Sequence, residues 1–309
     1  MEGITALTVG GVAELEGLVE TVCNAVSSVH TARAYSRALR AFLAWYAEKP
    51  CGFCRATVQA YRAHLEADGA RPATVNQSLS AIRKLAEEAR ANGWLDDSVA
   101  RGIIELRGLR QLGVRQGNWL TKAQTVKLLD APDAESLKGK RDRVVLGLLV
   151  GAGLRRDEAA RVTVEQIQER EGRPVILDMA GKGKRIRTVP VPRWLAEDIG
   201  VWREAAAIAE GFLLRAVDKT GRMAGNSDGH HLSSSGLWRI VKQYAREVGK
   251  PELAPHDLRR TFSKLAEKGG AGLRQIQKAL GHSSIQTTEK YLGDGLDLEN
   301  AACDCLGVK

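Results

Sequence analysis

Aromatic side chains are scarce in this chain of 309 residues, where tryptophan, tyrosine and phenylalanine together make up 5%. A tyrosine set among threonines and charged residues, as in LGHSSIQTTEKYLG (280–293), therefore stands out. Long apolar runs are missing as well, and none approaches the ~20 residues that a membrane-spanning helix needs. Five cysteines in a chain of this length argue against a secreted disulfide scaffold. Cys51-Gly-Phe-Cys54 has half the spacing of a zinc site, but Cys303-Asp-Cys305 is a poor second half and no histidine pair joins either. No metal site is expected, and the thiols read as reduced. The N-terminal MEGITALTVGGVAELEGL is acidic and lacks the charged-then-apolar order of an export signal, so the expected location is cytoplasmic. The chain also has no P-loop, serine triad or paired carboxylates, and no repeat of ~20–50 residues.

What the chain does have is length and positive charge. It carries 46 Lys+Arg against 37 Asp+Glu, a formal net charge of +9. Residues 1–113 hold 13 basic and 12 acidic side chains (net +1), and the remainder holds 33 and 25 (net +8). A basic field concentrated in one half points to a polyanionic partner, nucleic acid before membrane. The length allows two domains, each with its own core. Helical spacing is found over 12–26, from 30–31 onward, over 57–68 and after Pro72, which makes 1–110 a helical domain. The stretch RGLRQLGVRQGN (107–118) suits either a basic linker along a phosphate backbone or an ordinary solvated loop, and 111–118 is read as the linker. From Trp119 the pattern gives helices over 121–129 and 141–150, then two strands around a glycine turn within 174–192. Helices follow at 194–209, 235–248, 256–268, 273–280 and 285–292. The expected fold is mainly α, with a helical domain followed by a mixed α+β domain (119–309) that holds a small antiparallel sheet.

Four segments carry residues suited to chemistry on an anion. In GLRRDE (153–158), Arg155 follows a glycine turn at a helix start, where the dipole disfavours a cation unless a phosphate is bound there, and Glu158 is placed to orient it. In AGKGKRIRTV (180–189), Lys182 lies in a glycine turn that permits close approach to a ligand. In PHDLRRTFSKL (255–265), His256 and Arg259 are three residues apart near a helix start, with Leu258, Phe262 and Leu265 marking the expected buried face. In the last segment, His282 and Tyr291 would face opposite ways on one continuous helix; Gly281 breaks the chain, and Ser283 or Ser284 can cap a new helix that carries Tyr291. Taken alone, each segment also fits a bland reading: a surface ion pair, a solvated hairpin tip, or a capping histidine. As a set, two arginines, a lysine, two histidines and a tyrosine, in the order R…K…HxxR…H-x8-Y, form a site without a serine triad, paired carboxylates, P-loop or metal ligands.

These segments, GLRRDE, GKGKRIRTVPVP, HDLRRTF and LGHSSIQTTEKY, closely resemble the catalytic boxes of the tyrosine recombinases, the phage-integrase and Xer-type family. SSVHTARAYSRALRAFLAWYAE (27–48) is similar to the start of that family's SAM-like core-binding domain, and ATVNQSLSAIRKL (73–85) to its later DNA-contacting helix. The resemblance implies that Tyr291 attacks a DNA phosphate to give a 3′-phosphotyrosyl link, while Arg155 and Arg259 hold the non-bridging oxygens. It implies further that Lys182 protonates the departing 5′-oxygen, His256 assists proton transfer and His282 hydrogen-bonds the phosphate, with no cofactor, metal or ATP. Asn76, Gln77, Arg83, Lys84 and Lys184 are the implied DNA contacts. The implied partners are double-stranded DNA with core-type sites and further copies of the chain, four protomers forming a synapse in which the tail (297–309) docks on a neighbour.

The chain departs from the pattern at Arg260, where the family often has a second histidine, and in the glycine- and serine-rich 218–235, whose His230 and His231 read as part of a solvated loop. Only about 25 residues precede the first family-like helix, too few for a separate arm-binding domain. A type IB topoisomerase-like relaxing enzyme shares the cleavage chemistry, and a catalytically silent DNA-binding repressor would share the domains. The repressor has no use for Tyr291.

Overall fold

Residues 12–48, 52–110, 118–181, 186–224 and 231–292 are described by the computed structural model, in which the chain divides into two units, Met1–Gly113 and Val114–Lys309. The first unit contains five helices: α1 (Val12–Asn24), α2 (Val29–Ala47), α3 (Arg55–Ala67), α4 (Pro72–Ala91) and α5 (Asp97–Ile104). The Ser28 side chain accepts from the Thr31 amide to start α2, and Pro72 sits in the first turn of α4, where its missing N–H costs nothing. Gly69 and Gly93 follow α3 and α4 at φ +74° and +73°, the left-handed conformation that turns a chain out of a helix. The scarce aromatics collect in this core, with the Phe42 ring 5.7 Å from Tyr46, 5.8 Å from Phe53 and 5.1 Å from Tyr61.

Two sequence expectations change in this unit. Helix α5 was not expected; Asp96 caps it by accepting from the Ser98 amide at 2.8 Å, and Ala100 and Ile103 are buried on one face. The surface of α4 is also less free than its spacing implied. Asn76 Nδ2 donates to the Leu109 carbonyl at 2.9 Å, and its Oδ1 accepts from the Leu109 amide at 2.7 Å. Arg83 donates to the Leu106 carbonyl, and Lys84 pairs with Glu88 at 2.9 Å and Glu87 at 3.2 Å. Three of the four α4 residues expected on DNA thus have partners within the unit, and Gln77 is exposed.

The second unit opens with α6 (Lys122–Asp130), which starts from a reciprocal cap between Thr121 and Gln124. Helix α7 (Leu137–Val150) follows, capped by Ser136 and buried along nearly its whole length, so it begins four residues before the expected start. A short helix α8 (Arg156–Ala160) leads into an antiparallel sheet of three strands in the order β1 (Ile167–Arg170), β2 (Arg173–Ala180), β3 (Ile186–Pro190). Only β2 and β3 were expected. The additional strand β1 reaches β2 through Glu171 and Gly172, both at positive φ (52° and 69°), as a two-residue hairpin turn requires. The remaining helices are α9 (Arg193–Ala205), α10 (Ser234–Glu247), α11 (Pro255–Lys268), α12 (Leu273–Leu280) and α13 (Ile285–Leu292). On α11 the buried face differs from the expected one. Leu258 is buried beside Arg259, Thr261 and Ser263, whereas Phe262 and Leu265 are half-buried.

His231, expected in a solvated loop, is half-buried with its ring edge-on to Phe212 at 5.1 Å. Among the described residues no helix is long and apolar enough to cross a membrane. The linker 111–117, Lys182, Lys184, His230, Cys51, Cys303, Cys305 and the tail 297–309 lie outside the described residues.

Candidate active site

The site is built around a carboxylate. Glu158, in the first turn of α8, is buried, and its two oxygens collect donors from three segments. Oε1 accepts from Arg155 Nη1 at 2.7 Å and Arg187 Nη1 at 3.1 Å. Oε2 accepts from the Arg155 amide and from Arg187 Nη2, both at 2.8 Å, and lies 3.7 Å from Arg259 Nη1. Burial by itself would raise the Glu158 carboxyl, but the Arg187 fork and the Arg155 amide and guanidinium outweigh it and hold the pKa at about 2. The ionised carboxylate thus fixes Arg155 by backbone and side chain at the mouth of α8. The Arg155 side chain remains about one-third exposed (32%).

Arg259 approaches from α11 and is fully buried. Nη1 donates to the Gly153 carbonyl at 2.6 Å and Nη2 to the Leu280 carbonyl, while Nε is buried without a partner. Burial, and then Arg155, draws its pKa down to about 10, so it stays charged at neutral pH. Gly153 accommodates this contact at φ +63°, and a Cβ there would stand 2.7 Å from the Phe262 ring. One turn back on α11, His256 keeps an exposed surface, while the protein packed around it, and then Arg259 and Arg260, hold its imidazole below the ordinary histidine range.

Gly281 ends α12 at φ +63°, and the chain turns there to bring His282 inward. His282 Nδ1 lies 3.0 Å from the Thr288 hydroxyl of α13, and burial together with Arg259, Arg155 and Arg187 lowers its pKa to about 4, leaving it neutral at physiological pH. The next helix is started by Ser284, whose hydroxyl accepts from the Gln286 amide at 3.2 Å. Two turns on, Tyr291 packs edge-on to both histidines, with ring centroids 4.8 Å from His282 and 5.2 Å from His256. Its hydroxyl sits 2.5 Å from His256 Nε2, and Arg260 stands over the ring at 5.6 Å.

Arg155, His256, Arg259, His282 and Tyr291 are therefore brought together from α8, α11, the corner after α12, and α13. A cavity of about 310 Å³ opens beside them, lined by Arg155, Arg156, His256 and Arg259 and walled by Trp238 and Pro255. Three guanidinium groups surround the single Glu158 carboxylate, an excess of positive charge suited to a bound phosphate. Strands β2 and β3 pair as far as Ala180 and Ile186, on either side of the expected Lys182 turn. Sequence reasoning missed Arg187 and Thr288. The signal for Arg187 was strand alternation: it shares a side of β3 with buried Val189, where a charge needs a partner. Among the described residues no cluster of histidine, cysteine and carboxylate side chains offers a metal site.

Residues 118–294 match the model of the phage integrase family, and residues 16–93 match that of the phage integrase N-terminal SAM-like domain. The chain is 29% identical over 265 residues to tyrosine recombinase XerC of Thermodesulfovibrio yellowstonii, covering 85% of each protein. It is 30% identical over 264 residues to tyrosine recombinase XerA of Thermococcus kodakarensis, covering 85% of this chain and 84% of that one. Among solved structures, a lambda integrase fragment in a dimer bound to a core site shares the fold with a TM-score of 0.67 at 16% identity, over 91% of this chain and 95% of that one.

Proposed function

Because the chain belongs to the phage integrase family, the tyrosine recombinases, we propose that it cleaves and rejoins double-stranded DNA at specific core-type sites through a 3′-phosphotyrosyl intermediate. The observation that carries this reading is the Tyr291 hydroxyl 2.5 Å from His256 Nε2, beside a cavity lined by Arg155 and Arg259. With its pKa lowered, His256 is neutral at physiological pH and able to take the tyrosine proton as the Tyr291 oxygen bonds to phosphorus. The bond from phosphorus to the 5′-oxygen breaks, and Lys182 supplies the proton that leaves with that oxygen. Arg155 and Arg259 offset the charge on the non-bridging oxygens as the phosphorane forms; a well-placed donor of this kind contributes ~3–4 kcal/mol. In the tautomer that accepts the Thr288 hydroxyl proton at Nδ1, His282 has Nε2–H left to donate to the same phosphate. Rejoining runs the steps in reverse. Pairing of two duplexes by four protomers belongs to the same proposal, and sedimentation with DNA carrying two sites tests it: complexes holding a single duplex would rule it out.

The test begins with a duplex site enriched by the protein from a random-sequence pool, arranged as inverted repeats and nicked so that cleavage traps the adduct. Wild-type protein should give a covalent protein–DNA band on a denaturing gel, and Tyr291→Phe should bind the same DNA without forming it. Adducts that survive Tyr291→Phe would sink the assignment.

A further inference from the structure

Arg187 differs from the other arginines of the site in where its donors go. It lies on β3, and its side chain is only one-tenth exposed (10%). Nη1 and Nη2 reach the two oxygens of Glu158, and Nε donates to the Ala279 carbonyl at 3.2 Å. All three nitrogens are thus engaged inside the protein, whereas the Arg155 side chain stays about one-third exposed and Arg259 keeps an unpartnered Nε. The segments Arg187 joins are the ones that set the site. Glu158 holds Arg155 by its amide and its guanidinium, and Ala279 is the penultimate residue of α12, whose end turns at Gly281 to place His282. Gly281 is shaped to this contact, since a Cβ there would lie 2.9 Å from Arg187 Cδ.

We propose that Arg187 is a positioning residue for strand cleavage, locking Glu158 and the end of α12 so that Arg155 and His282 meet the same phosphate; this rests on the recombinase reading above. Without the Arg187 fork, the Glu158 carboxylate has only Arg155 and the distant Arg259 to satisfy it, and the Arg155 side chain is drawn inward, away from the cavity. A lysine at 187 keeps the charge but not the planar fork, so it cannot span both Glu158 oxygens and the Ala279 carbonyl.

The test compares wild type, Arg187→Met, Arg187→Lys and Arg155→Ala as full-length proteins on the nicked duplex, measuring DNA affinity and the single-turnover rate of adduct formation. Arg187→Met should bind DNA as wild type does and form adduct about 100-fold more slowly, the scale of loss for a catalytic group displaced by ~1 Å. Arg187→Lys should fall between the two. A second duplex carries a methylphosphonate at the scissile position, which removes the charge that Arg155 offsets. The deficit of Arg187→Met should shrink on it, as the deficit of Arg155→Ala does. Wild-type rates on ordinary DNA, or a deficit of equal size on both duplexes, would overturn the positioning role. If Arg187→Met does not fold, Arg187→Lys carries the same two readings. Tyr291→Phe separates the two claims: persistent adducts there condemn the recombinase reading, whereas their loss beside normal Arg187 variants condemns only this one.

Discussion

Two buried charge clusters in the second unit invite comparison. In the first, Asp142 of α7 accepts from Arg141 Nε at 2.9 Å and Nη2 at 2.6 Å, and from the Tyr244 hydroxyl at 3.0 Å. One cation meets one carboxylate and every Asp142 oxygen is used, yet burial still lifts its carboxyl above the usual range. In the second, three arginines converge on Glu158, whose pKa falls to about 2. The first cluster is closed and belongs to the core. The second has surplus positive charge, an unpartnered Nε and a cavity. What marks a site, then, is unspent donors and uncompensated charge, not burial of charge as such. The first unit holds buried, unpartnered Nε atoms as well, at Arg62 and Arg83, but among the described residues it buries no whole charged side chain and gathers no surplus of charge around one carboxylate.

The largest expected effect is on the closed cluster. Asp142→Ala leaves Arg141 buried without its carboxylate, at a cost of ~3–5 kcal/mol in urea unfolding. Because nothing in that cluster faces the cavity, adduct formation per folded molecule should be unchanged; a parallel loss of cleavage would mean that the two clusters are coupled.

Glu158→Gln should cost somewhat less in stability and far more in chemistry. Its folded pKa of about 2 lies below the ordinary 4.5, so the contribution of about 3 kcal/mol is fully present above pH 4.5 and is lost as pH falls toward 2. The stability gap between wild type and variant should therefore close with acidification over that window, and urea titrations at a series of pH values would reveal a gap that stays constant instead. Cleavage by the folded variant should drop even at neutral pH, because Arg155 loses its anchor.

Two glycines separate backbone strain from contact. Gly172 and Gly281 both have φ near +65° (69° and 63°), but nothing lies within 4 Å of a Cβ at 172, whereas one at 281 meets Arg187. Alanine at either should cost ~1–2 kcal/mol for the left-handed conformation. Only Gly281→Ala should also slow adduct formation, and equal cleavage by both variants would dissociate the Arg187 contact from the chemistry.

Much of this was legible in the sequence, and the misses have physical causes. Local chemistry announced the Thr121 cap, the Pro72 and Pro255 helix starts and the Gly281 corner, because each acts within a few residues. Strand β1, IQER, has no apolar alternation and owes its pairing to the Glu171–Gly172 turn. Helix α5, DSVARGII, is built largely of β-branched residues, a glycine and short polar residues that favour other conformations, so propensity did not declare it. On α11, spacing favoured Phe262 and Leu265, but tertiary packing buried Arg259, Thr261 and Ser263 instead, because this helix faces the site as well as the core. Asn76 and Arg83 looked free because their carbonyl partners lie 33 and 23 residues along the chain, a distance no local pattern reports.

The smallest expected effect concerns Arg260, the neighbour of Arg259 on α11. Its guanidinium stands 5.6 Å over the Tyr291 ring, a contact on the scale of ~0.5–1 kcal/mol. It also helps to hold His256 below the ordinary 6.5, after burial and Arg259 and alongside Arg155, with Asp257 opposing them. If neutral His256 takes the Tyr291 proton, the acid limb of the cleavage rate lies below 6.5, since protonated imidazolium cannot accept. Arg260→Gln removes one of the charges that disfavour imidazolium, so the limb should move upward in pH and the plateau rate should fall only a few-fold. Arg260→Lys retains the charge and should leave the limb near its wild-type position while still losing part of the ring contact. A limb that stays fixed in the glutamine variant would show that the Arg260 charge does not reach His256, and the pH dependence would then belong to burial, Arg259 and Arg155, opposed by Asp257.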